Sequence, residues 1–96
     1  MKKAAHAKIS KRRVSFSLDA PQSQQVSLVG DFNAWDPLKH PMKKSAEGIW
    51  KKTVILEPGT YEYKFYQDNR WVVDPGNDRQ CPNRFGTCNS VIVVSP

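Results

Sequence analysis

Catalysis needs a nucleophile, a proton carrier or a metal ligand held close to a partner, and this sequence offers few of them. His6 and His40 are its two histidines, and neither has a nucleophile or a second ligand at useful spacing. Cys81 and Cys88 form a lone pair seven positions apart, which matches no zinc ligand set. They are expected to remain thiols, although an oxidising setting could close the short loop between them. A carboxylate pair for glycoside hydrolysis could be drawn from Asp31, Asp36, Asp68 or Asp74. All four are also ordinary turn formers, which is the simpler reading. The five glycines are spaced singly, so no phosphate-cradling loop is visible, and no serine sits in a nucleophile elbow. The expectation is a protein that is not an enzyme and uses no metal or cofactor.

Binding chemistry is better represented. Three tryptophans in 96 residues is a high count, and the three differ in setting. Trp50 opens an alternating run with Val54 and Leu56 and reads as core. Trp35 lies in a polar corner between Asn33 and Asp36, where a purely structural tryptophan is less expected. Trp71 follows the stretch Tyr61-Glu62-Tyr63-Lys64-Phe65-Tyr66, whose period of two is that of a half-buried strand. Asp68-Asn69 suits a tight hairpin turn, because both residues tolerate positive φ. A two-residue loop there pairs Gln67 with Arg70, Tyr66 with Trp71 and Lys64 with Val73. Trp71 and Lys64 then share the outward face, while Tyr61, Tyr63, Phe65 and Val72 face the core. An exposed aromatic face is a flat platform for a pyranose ring or a base, and Lys64 and Asn89 are donors that could fix hydroxyls beside it. The alternative is that Trp35 caps the sandwich end and Trp71 covers an edge.

The elements that must position these residues are short strands. Val14, Phe16 and Leu18 alternate with serines; Val26 to Gly30, Ile49 to Leu56 and Ser90 to Val94 are further strand-like runs. Asp31 to Pro37 reads as a corner. Leu38 to Gly48 and Asp74 to Gly86 read as irregular, and no segment carries helical periodicity. Six or so strands with frequent turn signals predict an all-β, immunoglobulin-like sandwich forming one domain over residues 12–96.

The formal net charge of +6 is unevenly placed. Residues 1–13 hold six of the fifteen Lys and Arg and no acid, so the remaining nine are balanced by nine Asp and Glu. The excess therefore sits on a basic N-terminal arm, read as disordered over residues 1–11. Such an arm reads as a solvated tail sooner than as a nucleic-acid contact. No apolar run approaches the roughly 20 residues of a membrane span. The N-terminus lacks the apolar core of a secretion signal, so a cytoplasmic location is expected.

The ordered motifs Val26-Ser27-Leu28-Val29-Gly30-Asp31-Phe32-Asn33-Ala34-Trp35, Gly48-Ile49-Trp50, Pro58-Gly59, Tyr61-Glu62-Tyr63-Lys64-Phe65, Trp71, Asp74-Pro75 and Phe85-Gly86-Thr87-Cys88-Asn89-Ser90 carry a resemblance. The chain resembles carbohydrate-binding module family 48, the glycogen-binding domain of AMP-activated protein kinase β-subunits and the N-terminal early-set domain of isoamylases. The resemblance covers about residues 12–95. It implies an early-set immunoglobulin-like sandwich that binds glycogen, starch-like polymers or maltooligosaccharides without catalysis. It implies a site in which Trp35 and Trp71 stack on glucose rings and Lys64 and Asn89 hydrogen-bond hydroxyls. Phe85 would wedge against the glucan, with Thr87 assisting; the kinase family has leucine where this chain has Phe85. The second expectation is a protein-interaction module docking on a glucan-metabolising enzyme or kinase.

Overall fold

Alternation of large apolar with polar residues is what turns this chain into strands. The clearest case is β5 (Gly59–Gln67), in which Tyr63 and Phe65 are sealed from solvent. The computed structural model describes residues 11–96; the sequence expectation of an arm over 1–11 falls, apart from Lys11, outside them. Seven other strands accompany β5: β1 (Arg12–Asp19), β2 (Val26–Gly30), β3 (Lys43–Lys44), β4 (Ile49–Leu56), β6 (Arg70–Val72), β7 (Gln80–Pro82) and β8 (Cys88–Val94).

They form two antiparallel sheets, one ordered β1-β4-β3 and the other β2-β5-β8-β7, with β6 also on β5. The chain is an all-β immunoglobulin-like sandwich, as its strand pattern predicts. Phe16 of β1 meets Tyr63 of β5 edge-on, with ring centroids 4.9 Å apart, which ties the sheets through an aromatic pair. Leu18, Leu28, Trp50, Leu56 and Phe65 complete the centre. Each such buried side chain contributes about 1.5–3 kcal/mol of transfer free energy. Trp50 is core, and its indole N–H donates to the Ala20 carbonyl at 2.9 Å.

The β5–β6 hairpin turns on Asp68 (φ 48°) and Asn69 (φ 68°), the two left-handed positions of a tight hairpin. Gln67 pairs with Arg70 and Tyr66 with Trp71, as the two-residue loop requires. The expected pair of Lys64 with Val73 does not form. β6 ends at Val72, and the Asp74 N–H instead donates to the Ser90 hydroxyl of β8 at 2.8 Å. One edge of β5 is thus shared: β8 pairs with residues 59–63 and β6 with 65–67, which leaves Lys64 at the fork between them.

Three further expectations are corrected. The stretch read as irregular from Asp74 to Gly86 contains β7, and that from Leu38 to Gly48 contains β3. Both strands are too short to show a period. The last strand starts at Cys88 rather than Ser90, so Asn89 belongs to the sheet.

Candidate functional site

The outer face of the larger sheet carries the site. A groove of about 760 Å³ lies across it and is lined by all six residues singled out from the sequence: Trp35, Lys64, Trp71, Phe85, Thr87 and Asn89. Asp31, Glu62, Asn83 and Arg84 line it too; of these the sequence reading weighs only Asp31, and that as a catalytic carboxylate.

Trp35 reaches the groove from the corner after β2. Gly30 opens that corner where no other residue fits, since a Cβ there would lie 2.6 Å from the Glu62 carbonyl oxygen. A short 3₁₀ turn (Asp31–Asn33) follows, and then Ala34 and Trp35 both take left-handed φ, 57° and 58°. For L-residues this conformation costs roughly 1–2 kcal/mol each, so other contacts must hold it. Buried Asn33 is one such contact. It accepts from the Gly30 N–H at 3.0 Å and donates to the Leu28 carbonyl and to His40 Nδ1, at 2.9 and 2.7 Å. His40 therefore keeps Nδ1 unprotonated. Burial, reinforced by Lys52 and Lys39, holds its pKa below the usual histidine value. Asp31 finishes the corner, accepting the Trp35 indole N–H at 2.9 Å and the Glu62 backbone N–H at 2.7 Å.

Trp71 is positioned by β6. Its ring lies 4.7 Å from Tyr66, its cross-strand partner, and 6.4 Å from Trp35 at 56° between planes. It is 48% exposed, as the outward reading requires, so an aromatic cluster stands open to solvent.

Lys64 shares the face expected of it but not the exposure: it is only 7% accessible. The loop between β7 and β8 covers it, and its Nζ donates to Thr87 Oγ1 at 3.1 Å. Among the described residues Nζ makes no other hydrogen bond. A cation removed from water with one neutral partner is incompletely compensated, and hydroxyl acceptors entering the groove would complete its shell.

Asn83 builds that covering loop. Its Oδ1 accepts from the N–H groups of Phe85 and Thr87, at 2.9 and 3.2 Å. Its Nδ2 donates to Thr87 Oγ1 at 2.7 Å and to Asn89 Oδ1 at 3.0 Å. Gly86 then supplies φ +84° at the tip. The result holds Phe85 out into solvent, 77% exposed, with the Arg84 guanidinium 5.2 Å from its ring centroid. Asn89 is buried under the loop and donates Nδ2 to Glu62 Oε1 at 2.9 Å. A polar chain thus runs from Trp35 through Asp31, Glu62, Asn89, Asn83 and Thr87 to Lys64, fixing both ends of the groove. Such connected bonds position side chains more firmly than isolated ones.

The other three carboxylates weighed from the sequence have backbone duties. Asp36 accepts from the Leu38 N–H and Asp74 from that of Gly76, while Asp68 accepts from Gln24 and Gln25. Those two backbone bonds, Gln25 first, hold the Asp68 pKa below the usual carboxylate value. Cys81 and Cys88 are free thiols, and the register places their side chains on opposite faces of the β7–β8 ladder. A second cleft of about 530 Å³ lies beside β1 and β8. Its Asp74 and Asn77 are already engaged by the Tyr63 hydroxyl, whose pKa burial raises, with help from Asp74.

The carbohydrate-binding module 48 (isoamylase N-terminal domain) family matches residues 4–78. The 1,4-alpha-glucan branching enzyme GlgB 2 of Xanthomonas campestris pv. campestris (strain 8004) is 43% identical over 52 residues, covering 54% of this chain and 7% of that enzyme. The 1,4-alpha-glucan branching enzyme GlgB of Nitrosococcus oceani is 43% identical over 60 residues, covering 59% of this chain and 8% of its own. The chain thus spans less than a tenth of these relatives. Among solved structures, a maltogenic amylase from S. marinus superposes with a TM-score of 0.77 at 24% identity, over 91% of this chain and 14% of the amylase. That likeness is one of fold.

Proposed function

Because the chain belongs to the carbohydrate-binding module 48 (isoamylase N-terminal domain) family, we propose that its groove is a non-catalytic platform for α-1,4-linked glucans. The observation that carries this reading is the pairing of open aromatic rings with a preset donor row in one groove. Trp35, Trp71 and Phe85 offer apolar faces, and Lys64, Thr87 and Asn89 stand beside them held by protein hydrogen bonds. A glucose ring has an apolar C–H face and a rim of hydroxyls, so it matches both parts. Glycogen, starch-like polymers and maltooligosaccharides share that surface. Thr87 Oγ1 accepts from Lys64 and from Asn83, so its own hydrogen is left to donate to a ligand. A shallow, solvent-open platform of this kind binds with roughly micromolar to millimolar affinity.

Titration with maltoheptaose, followed by intrinsic tryptophan fluorescence with cellohexaose as control, tests the proposal. A saturable change with maltoheptaose alone is expected, since a ligand stacked on Trp35 and Trp71 alters both indoles. An unchanged signal with both sugars, matched by no heat in calorimetry, would overturn it. The reading would then pass to a module that docks on a glucan-metabolising enzyme. Relatives in which the matching segment is 7% or 8% of a branching enzyme support that second role.

A further inference from the structure

The groove contains two carboxylates, and they are used differently. Asp31 is spent on the corner, one oxygen accepting from Trp35 and the other from the Glu62 N–H. Glu62 accepts once through its side chain: Oε1 takes the Asn89 Nδ2 proton, and among the described residues Oε2 takes none. Holding Asn89 does not require a negative charge, because a glutamine carbonyl would accept the same bond. Nor does the strand alternation, which asks only for a polar residue at this position. The charge is surplus to that bond.

It is not surplus to recognition. The free polar atoms nearby, on Lys64 and Thr87, are donors. Glu62 Oε2 is the complementary acceptor among them. We infer that Glu62 is a specificity-determining residue that restricts the groove to uncharged glucan segments, an inference that rests on the glucan reading above. Its free oxygen accepts a sugar hydroxyl in a charge-assisted bond, and its charge repels sulfate, phosphate or carboxylate substituents on the ring that occupies that place. Lys64 and Arg84 also line the groove, Lys64 bonded to Thr87 beneath the loop and Arg84 at the exposed, screened rim. The preference is therefore confined to the ring that meets Glu62.

Glu62→Gln tests the inference, with neutral maltoheptaose and lightly sulfated maltoheptaose as probes. The variant is expected to bind neutral maltoheptaose about fivefold more weakly, the difference between a charged and a neutral acceptor. It is expected to bind the sulfated sugar relatively better, so that the ratio of the two dissociation constants shifts by about tenfold. Equal losses on both probes would overturn the inference and leave Glu62 a prop for Asn89; so would no change on either. In the wild-type protein, discrimination against the sulfated probe should shrink between 20 mM and 500 mM salt, roughly as screening shortens. Discrimination indifferent to salt would also overturn it. Wild-type protein that ignores neutral maltoheptaose would remove the glucan reading itself, a result distinct from all of these.

Discussion

The two outer faces of the sandwich are built from the same alternation, yet they end in opposite states. On the smaller sheet, Ser15 faces Thr53, Ser17 faces Lys51 and Lys43 faces Lys51, all exposed to water. On the larger sheet, the corresponding outward positions hold a buried lysine, a buried asparagine and a cluster of aromatic rings. Lys51 and Lys64 are the same residue type on equivalent faces. One is solvated and the other sits under a loop, hydrogen-bonded to Thr87. Folding alone needs only the first arrangement. The second removes polar groups from water and holds hydrophobic rings in it, both of which oppose stability. The proposed glucan site would account for that difference.

The largest effect should come from Trp71→Ala. Retention on glycogen and binding of maltoheptaose should fall at least about thirtyfold, the scale of an aromatic hot spot, while the melting temperature stays nearly unchanged. A large drop in melting temperature with binding intact would make Trp71 a structural residue and dissolve the contrast. Asn83→Ala comes next. Losing its loop bonds should weaken maltoheptaose binding by about tenfold and raise amide exchange in residues 84–88, with a smaller effect on melting.

Acidification should act on the corner that presents Trp35. The folded pKa of His40 lies below its ordinary value, so the unfolded chain binds the proton more readily. The stability that neutral His40 contributes is complete above its ordinary value of 6.5 and is lost as pH falls from there through the folded value. Melting temperature should drop across that window, and His40→Gln should flatten the profile. The smallest effect belongs to the other face. Lys51→Glu replaces the like-charge pair with Lys43 by an opposite one, and should raise the melting temperature by about 2 °C without touching maltoheptaose binding.

The sequence exposed whatever is governed by local rules. The Asp68-Asn69 turn, the Tyr66–Trp71 pair and the inward Trp50 all follow from spacing and backbone tolerance, without reference to distant chain. What it hid depends on contacts between elements. Periodicity gives the face of Lys64 but says nothing of the loop that covers it from twenty-odd residues away. β7 is three residues long and ends on a proline, which hides any alternation. Asn83 looks like a turn residue and is one; that it also fixes Thr87 and Asn89 is a property of the folded loop. Glu62 fills a polar slot in the pattern, and only its partnership with Asn89 shows that one of its oxygens is spare.

Trp35 stands in a backbone conformation that glycine or asparagine would occupy at less cost. A glycine in its place would relax the backbone and at the same time leave Asp31 Oδ1 without its indole partner. Strain and anchor thus meet in one residue: the bond that holds the indole at the groove's edge also helps to hold the chain in a turn it would otherwise leave.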